Sequence, residues 1–190
     1  MKIGIDFDGT IADTTGTKVR YALEAFGESI SPEETFGPVG RGRLGDERYV
    51  EMVQAAHRGW TGGTPPMPGA LDAMRRLAAD HELYVITART DEEIDHAKDW
   101  LRTFSAPARG VMHTARAAKV DACRERGIEF MLDDLPQVLH ELAEAGIGTA
   151  LLEAAYNRDV TRHEQIHLVR TWGDFVALCE RVSGVSVADR

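Results

Sequence analysis

The chain has 190 residues, enough for one hydrophobic core with a small accessory unit but not for two full independent domains. Hydrophobic residues make up 43% and charged residues 28%, ordinary globular values that argue against a disordered or fibrous chain. The net charge of −9 disfavours a DNA or RNA backbone as partner, since such partners need a face rich in lysine and arginine.

In chain order, residues 2–7 form a short apolar run ending in acid, which suits a buried strand. From 14 to 28 the rhythm turns helical, with Val19, Ala22, Leu23 and Phe26 at three- and four-residue intervals and Gly27 placed to close the helix. Ser31-Pro32-Glu33-Glu34 has the form of a helix start, with serine as cap and proline first. Gly37, Pro38, Gly40, Gly42 and Gly45 predict a flexible stretch, and 46–58 a further helix. Residues 59–69 are the densest run of turn formers in the chain and predict a hinge. Beyond it, strands are expected at 82–87, 109–112, 128–132, 147–152 and near 166–169, and helices at 69–79, 91–104, 115–126, 135–145 and 173–182. Strands alternating with helices imply crossover units and a parallel sheet. The expected fold class is α/β, a Rossmann-like parallel sheet sandwiched by helices. Residues 1–12 and 69–190 would form the core, and residues 13–68 a small all-helical cap inserted after the first strand.

Cys123 and Cys179 show no short metal-type spacing and read as two free buried thiols. Asp6 and Asp8 interrupt the first apolar run at once, so no secretory leader is expected. No window approaches the ~18 unbroken apolar residues of a membrane span, and the protein reads as cytoplasmic, with no membrane partner.

Four features lie at the ends of predicted strands or just beyond, where a parallel sheet presents its ligands. The first is Asp6-Phe7-Asp8-Gly9-Thr10. Its acids can do chemistry, or Asp8 or Thr10 can simply cap the next helix; Gly9 allows the tight turn between. The second is Thr87-Ala88-Arg89. The Thr87 hydroxyl can bond a phosphate oxygen or cap a helix, and Arg89 can add charge beside an anion or lie in solvent. The third is Lys119, inside a predicted helix, where a lone lysine is ordinarily on the surface. The fourth is Asp133-Asp134, directly after Phe130-Met131-Leu132. Adjacent acids at the end of an apolar strand are costly unless something positive satisfies them, and magnesium, which favours carboxylate oxygen and water, does so; a helix cap would need only one acid.

Taken together, these features resemble the haloacid dehalogenase-like superfamily of phosphohydrolases, with Asp6 to Thr10 as its first motif, Thr87 its second, Lys119 its third and Asp133-Asp134 its fourth. The resemblance implies that Asp6 is a nucleophile forming an aspartyl-phosphate, and that Asp8 is general acid to the leaving oxygen and then base to water. It implies that Thr87 and the backbone amides of Gly9 and Thr10 hold the transferring oxygens, and that Lys119 and Mg2+ neutralise the clustered acids and the phosphoryl charge. Asp6, the Asp8 carbonyl, Asp133 and Asp134 would ligate Mg2+. The implied activity is hydrolysis of a small phosphorylated metabolite, a 5′-nucleotide before a sugar phosphate. Transfer to a substrate hydroxyl, as in a phosphomutase, is the alternative, and a non-catalytic binding protein of the same fold a third reading. Asp8 argues against carbon–halogen cleavage, whose enzymes lack this second acid. Thr87-Ala88-Arg89 and Ala155-Tyr156-Asn157-Arg158, followed by Val169-Arg170-Thr171-Trp172, look like the deoxyribonucleotidase-type members; their plainer readings are a turn at Asn157 and a core tryptophan at Trp172.

Within the insert, Arg41 and Arg43 either reach a substrate phosphate from a loop or lie in solvent. Lys18, its only lysine, reads as a surface residue. His57 and Trp60 could stack on a ring, though packing suffices to explain them. His163-Glu164-Gln165-Ile166-His167 matches a zinc-protease pattern, but the alternation of Ile166-His167-Leu168-Val169 is that of a strand, which does not bring the two histidines to one metal.

Overall fold

Short apolar runs between turn formers become the strands of a parallel sheet, whose central strands are buried by helices packed on both faces. The structure, a computed structural model, describes residues 1–158 and 164–184. The strands are β1 (Lys2–Ile5), β2 (Glu82–Thr87), β3 (Gly110–His113), β4 (Phe130–Asp133), β5 (Gly148–Leu152) and β6 (Ile166–Val169), in the order β3-β2-β1-β4-β5-β6. All neighbours run parallel, with Ile5 opposite Val85 on one side and Leu132 on the other. The helices are α1 (Thr14–Phe26), α2 (Gly37–Leu44), α3 (Asp46–His57), α4 (Ala70–Leu77), α5 (Ile94–Thr103), α6 (Val120–Arg126), α7 (Pro136–Glu144) and α8 (Trp172–Ser183).

Strand alternation divides the core in two. Ile3, Ile5, Leu83, Val85 and Leu132 face α4, α5 and α8, where Trp100 and Trp172 are almost wholly enclosed. Ile86 and Met131 face the opposite way, onto Cys123 of α6 and Leu139 and Leu142 of α7. Both cysteines are free and buried, and burial raises their thiols to about 11 for Cys123 and about 12 for Cys179.

Between β1 and α4 the chain forms α1, α2, α3 and two short 3-10 helices, Pro32–Thr35 and Thr61–Gly63. This segment has its own apolar cluster of Ala22, Ile30, Leu44, Tyr49 and Met52. Its two ends are clasped together: the Asp13 N–H donates to the Pro65 carbonyl at 2.8 Å and the Met67 N–H to the Ile11 carbonyl at 2.8 Å.

Three local expectations need correcting. The glycine-rich stretch 37–45 is not a loop, because residues 37–44 form α2. A Cβ on Gly40 would stand 2.7 Å from both the Glu34 carbonyl and the Tyr49 ring, so close packing against α3 explains the glycine that propensity reads as flexibility. Ser31-Pro32-Glu33-Glu34 starts one 3-10 turn rather than a full helix, with the Ser31 N–H bonded to Glu34 at 2.8 Å. The helix expected from 115 begins only at Val120, because Ala115 and Arg116 are left-handed, with φ of 49° and 70°. Their N–H groups bind the Arg89 and Ala88 carbonyls at 3.1 and 2.9 Å, closing the loop after β3 onto the loop after β2. Of the zinc-protease pattern, His167 lies in β6 as the alternation predicted, and His163 lies outside the described residues.

Candidate active site

β1 and β4 are adjacent, and the chain winds outward from them in opposite directions. The crevice beyond their carboxyl ends is therefore the switch point where an open parallel sheet admits a ligand. Asp6 stands one residue past β1, its N–H still bonded to the Leu132 carbonyl at 2.9 Å, so the backbone pairing carries it to the rim. Asp133 ends β4 and Asp134 follows. One carboxylate oxygen from each of Asp6, Asp133 and Asp134 lies within 4.8 Å of the others, and all three residues are buried.

Lys119 is not inside a helix on the surface, as its sequence context suggested. It occupies the cap position before α6 and is 4% exposed. Its Nζ donates to Asp6 Oδ1 at 2.5 Å and to Asp133 Oδ2 at 2.8 Å. Asp133 Oδ1 also accepts the Leu135 N–H at 2.9 Å. Asp134 accepts the Tyr156 hydroxyl on Oδ2 and has the Thr10 hydroxyl 3.5 Å from Oδ1, while Asn157 Nδ2 binds its carbonyl at 2.8 Å. Gly9 turns the chain between these groups at φ +80°; a Cβ there would stand 2.4 Å from Asp134 Oδ2.

The electrostatics show what this cluster lacks. Burial pushes the Asp6 carboxyl well above the ordinary range, and Asp133, Asp134 and Asp8 add to the push against the pull of Lys119. Asp134 rises to about 7, first through burial and then through the charge of Asp133. Burial alone would lower Lys119, but Asp133 and Asp6 outweigh it and hold the ammonium charged. Among the described residues the Lys119 ammonium is the only cation bonded to these three buried carboxylates, and it reaches only two of them. An all-oxygen donor set short of positive charge fits a hard divalent cation of the magnesium type.

Asp8 is built differently. Burial by itself would raise its carboxyl, but the Arg89 guanidinium, with smaller help from His57 and Thr14, holds it well below the usual carboxylate range. Arg89 Nε and a terminal nitrogen bind Asp8 Oδ2 at 2.9 Å and Oδ1 at 2.8 Å, and the Thr14 hydroxyl donates to Oδ1 at 2.8 Å. Arg89 is 1% exposed, which excludes the solvated reading, and it does not border the cavity into which Asp8 faces.

That cavity has a volume of about 210 Å³ and opens over the cluster. Asp6, Asp8, Gly9, Thr87, Ala88, Lys119 and Asp134 face it from the core; Lys18, Phe36, Tyr49 and His57 face it from the insert. Lys18 is therefore half-buried at the cavity wall rather than on the surface, its ammonium lowered by burial despite the nearby charges of Asp8 and Asp134. Phe36 stacks on Tyr156 with ring centroids 5.2 Å apart, joining insert to core across the mouth. Trp60 does not face the cavity; it packs edge-on against Tyr21 at 5.0 Å. Arg41 and Arg43 are not at this wall either. Arg41 pairs with Asp46 at 2.6 Å and lies over the Tyr49 ring, and Arg43 pairs with Glu28 at 2.9 Å and Glu34 at 3.6 Å, because α2 turns both away from the crevice.

Sequence reasoning passed over Thr14, Glu93 and Arg116. Arg116 lines the cavity and places one nitrogen 2.7 Å from both oxygens of Glu93, an ion pair across 23 residues that no local pattern announces. Tyr156 and Asn157 did carry a signal, in the string Ala155-Tyr156-Asn157-Arg158. Asn157 is no simple surface turn: it is 4% exposed and ties the Leu152 and Asp134 carbonyls to the Ala154 N–H. Trp172 packs in the core, as its plainer reading had it, and its indole N–H binds the Thr10 carbonyl at 3.0 Å.

Comparison with known proteins agrees with this architecture. A haloacid dehalogenase-like family hydrolase from Streptococcus pneumoniae superposes with a TM-score of 0.63 at 18% identity, covering 94% of this chain and 97% of that one. YfnB from Bacillus subtilis, a "putative HAD-hydrolase" solved bound to magnesium, superposes with a TM-score of 0.62 at 13% identity, covering 93% of this chain and 97% of that one. A Halalkalibacterium halodurans protein named "Putative nucleotidase" is 23% identical over 160 residues, 83% of this chain and 82% of that protein. The family model described as 5′ nucleotidase, deoxy (Pyrimidine), cytosolic type C protein matches residues 1–182. The chain belongs to that family, and so to the phosphoric monoester hydrolases of the haloacid dehalogenase-like superfamily.

Proposed function

We propose that the protein is a Mg2+-dependent phosphomonoesterase that cleaves a small phosphorylated metabolite, a 5′-nucleotide in the first instance, through an aspartyl-phosphate on Asp6. The convergence of Asp6, Asp133 and Asp134 on one buried point, with Lys119 between two of them, carries this reading. In the same reading, residues 13–68 are a cap over the site and residues 1–12 and 69–190 the catalytic core.

Asp6, Asp133 and Asp134, with the Asp8 carbonyl, would hold the cation, which supplies positive charge against the phosphoryl oxygens. An Asp6 oxygen attacks phosphorus, and the bond from phosphorus to the leaving oxygen breaks. Asp8 is ionised before substrate arrives, so the proton enters with the ester monoanion, passes to Asp8 and ends on the leaving alcohol. Water then attacks the phosphorus of the aspartyl-phosphate, the bond to Asp6 breaks, and Asp8 takes the water proton and yields it to the departing phosphate. Thr87, Lys119 and the N–H groups of Gly9 and Thr10 meet the phosphoryl oxygens.

The preference for a nucleotide draws on the family description and on the "nucleotidase" name of the related protein. Phe36, Tyr49, His57 and Tyr156 line the cavity, and an aromatic lining suits a planar base. Arg41 and Arg43 have no part in it. The test is a hydrolysis screen over nucleotides, sugar phosphates and other phosphorylated metabolites, with magnesium and with chelator. Turnover should depend on the metal, favour 5′-nucleotides by a hundredfold or so, and vanish in Asp6→Asn. Turnover that survives Asp6→Asn would reject covalent catalysis by Asp6, and a matching preference for sugar phosphates would reject the nucleotide.

A further inference from the structure

We propose that Arg89 is a positioning residue that orients Asp8 for proton transfer and anchors that carboxylate to the hinge end of the insert. The inference rests on the reading that Asp8 carries the proton.

Arg89 is sealed from the cavity, with every nitrogen of its guanidinium bonded to protein. Nε and one terminal nitrogen fork across both oxygens of Asp8. The other terminal nitrogen faces the His57 carbonyl at 2.9 Å, the Thr61 hydroxyl at 3.1 Å and the Glu93 carbonyl at 3.4 Å. The guanidinium carbon lies 4.7 Å from the centroid of the Phe7 ring, which closes one of its faces. Asp8 faces the cavity and Arg89 does not, so the guanidinium acts on the reacting atoms through Asp8, its other bonds going to the backbone of His57 and Glu93 and to Thr61.

A planar fork fixes the plane of a carboxylate, whereas an ammonium supplies charge without setting that plane. The two oxygens of Asp8 are then not equivalent. Oδ1 accepts both the Arg89 terminal nitrogen and the Thr14 hydroxyl, while among the described residues Oδ2 accepts Arg89 Nε alone. A carboxylate oxygen has two lone-pair sites, so both on Oδ1 are taken and one on Oδ2 stays open. The geometry therefore assigns the proton to Oδ2, on its way to the leaving oxygen and later from water. The His57 carbonyl and Thr61 belong to α3 and to the 3-10 turn that follows it, so the frame holding Asp8 includes the end of the insert.

The test compares kcat/KM for an alkyl phosphate and for p-nitrophenyl phosphate, since this ratio reports the steps up to cleavage of the ester. A nitrophenolate leaves without a proton, and an alkoxide does not. Asp8→Asn controls for the reading beneath: it should suppress the alkyl ester about a hundredfold or more relative to the aryl ester. Arg89→Lys should act in the same direction, suppressing the alkyl ester at least tenfold relative to the aryl one, and Thr61→Val should do so more weakly. Loss of folded enzyme lowers both rates together and leaves their ratio untouched. If Asp8→Asn discriminates and Arg89→Lys scales both rates equally, the positioning role is overturned while the role of Asp8 stands. If Asp8→Asn itself does not discriminate, both fall. Should Arg89→Lys fail to accumulate, Thr61→Val decides, and a ratio indistinguishable from wild type overturns the proposal.

Discussion

Lys119 Nζ lies 2.5 Å from Asp6 Oδ1, a contact made across 113 residues of sequence, and the same nitrogen holds Asp133 at 2.8 Å. Removing one partner of a buried ion pair leaves uncompensated charge and costs about 3–5 kcal/mol. Lys119→Met, similar in length and uncharged, should lose about that much stability at neutral pH, as read by urea unfolding. The deficit should shrink as pH falls, because protonating Asp6 or Asp134, whose carboxyls already lie above the ordinary range, removes the repulsion. Turnover should fall about a hundredfold or more even under conditions where the variant is fully folded.

Gly9→Ala should damage activity more than stability. The residue sits at φ +80°, where a side chain is strained by roughly 1–2 kcal/mol. The new methyl would also enter the space of Asp134 Oδ2, at 2.4 Å, and of the Tyr156 hydroxyl, at 2.7 Å. Asp134 must move away from Asp6, so the midpoint in magnesium titrations of activity should rise by more than the thermal midpoint explains. An unchanged magnesium midpoint would show that Asp134 has room the structure does not give it.

Glu93 provides a pH-dependent share of stability. Burial would raise its carboxyl, but the His57 ring 3.7 Å away, the hydrogen bond from the Thr90 N–H and the charge of Arg116 bring it down to about 2. A group depressed in the folded state stabilises above its unfolded value, and that stability is lost as pH falls through the folded one. The contribution should therefore be complete above about pH 5 and disappear toward pH 2. Glu93→Gln should be less stable than wild type by about 2 kcal/mol at pH 7, with the two unfolding curves converging near pH 2. A constant gap across this range would mean that charge is not what Glu93 contributes.

The strand ends were the most legible part of the site. Lys2–Ile5, Glu82–Thr87 and Phe130–Asp133 are apolar runs broken by an acid or a hydroxyl, so the positions of Asp6, Thr87 and Asp133 at one rim follow from a period of two and from the alternation of strands with helices. The glycines of 37–45 misled for the opposite reason. Propensity reports backbone freedom, while the close approach of Gly40 to Tyr49 is a property of two packed helices.

What the sequence by itself determined is the class of fold, the order of the strands along the chain and the list of acids at their carboxyl ends, because hydrophobic period and turn chemistry act over a few residues. Tertiary structure alone decided that Arg89 is sealed against Asp8, 81 residues away, that Lys18 looks into the cavity, and that Arg41 and Arg43 turn to Asp46, Glu28 and Glu34 instead. Each of these is a choice of partner for a charge. An arginine has the same local pattern whether it ends in water or in an ion pair, and only the packing of distant segments sets which carboxylate lies within reach.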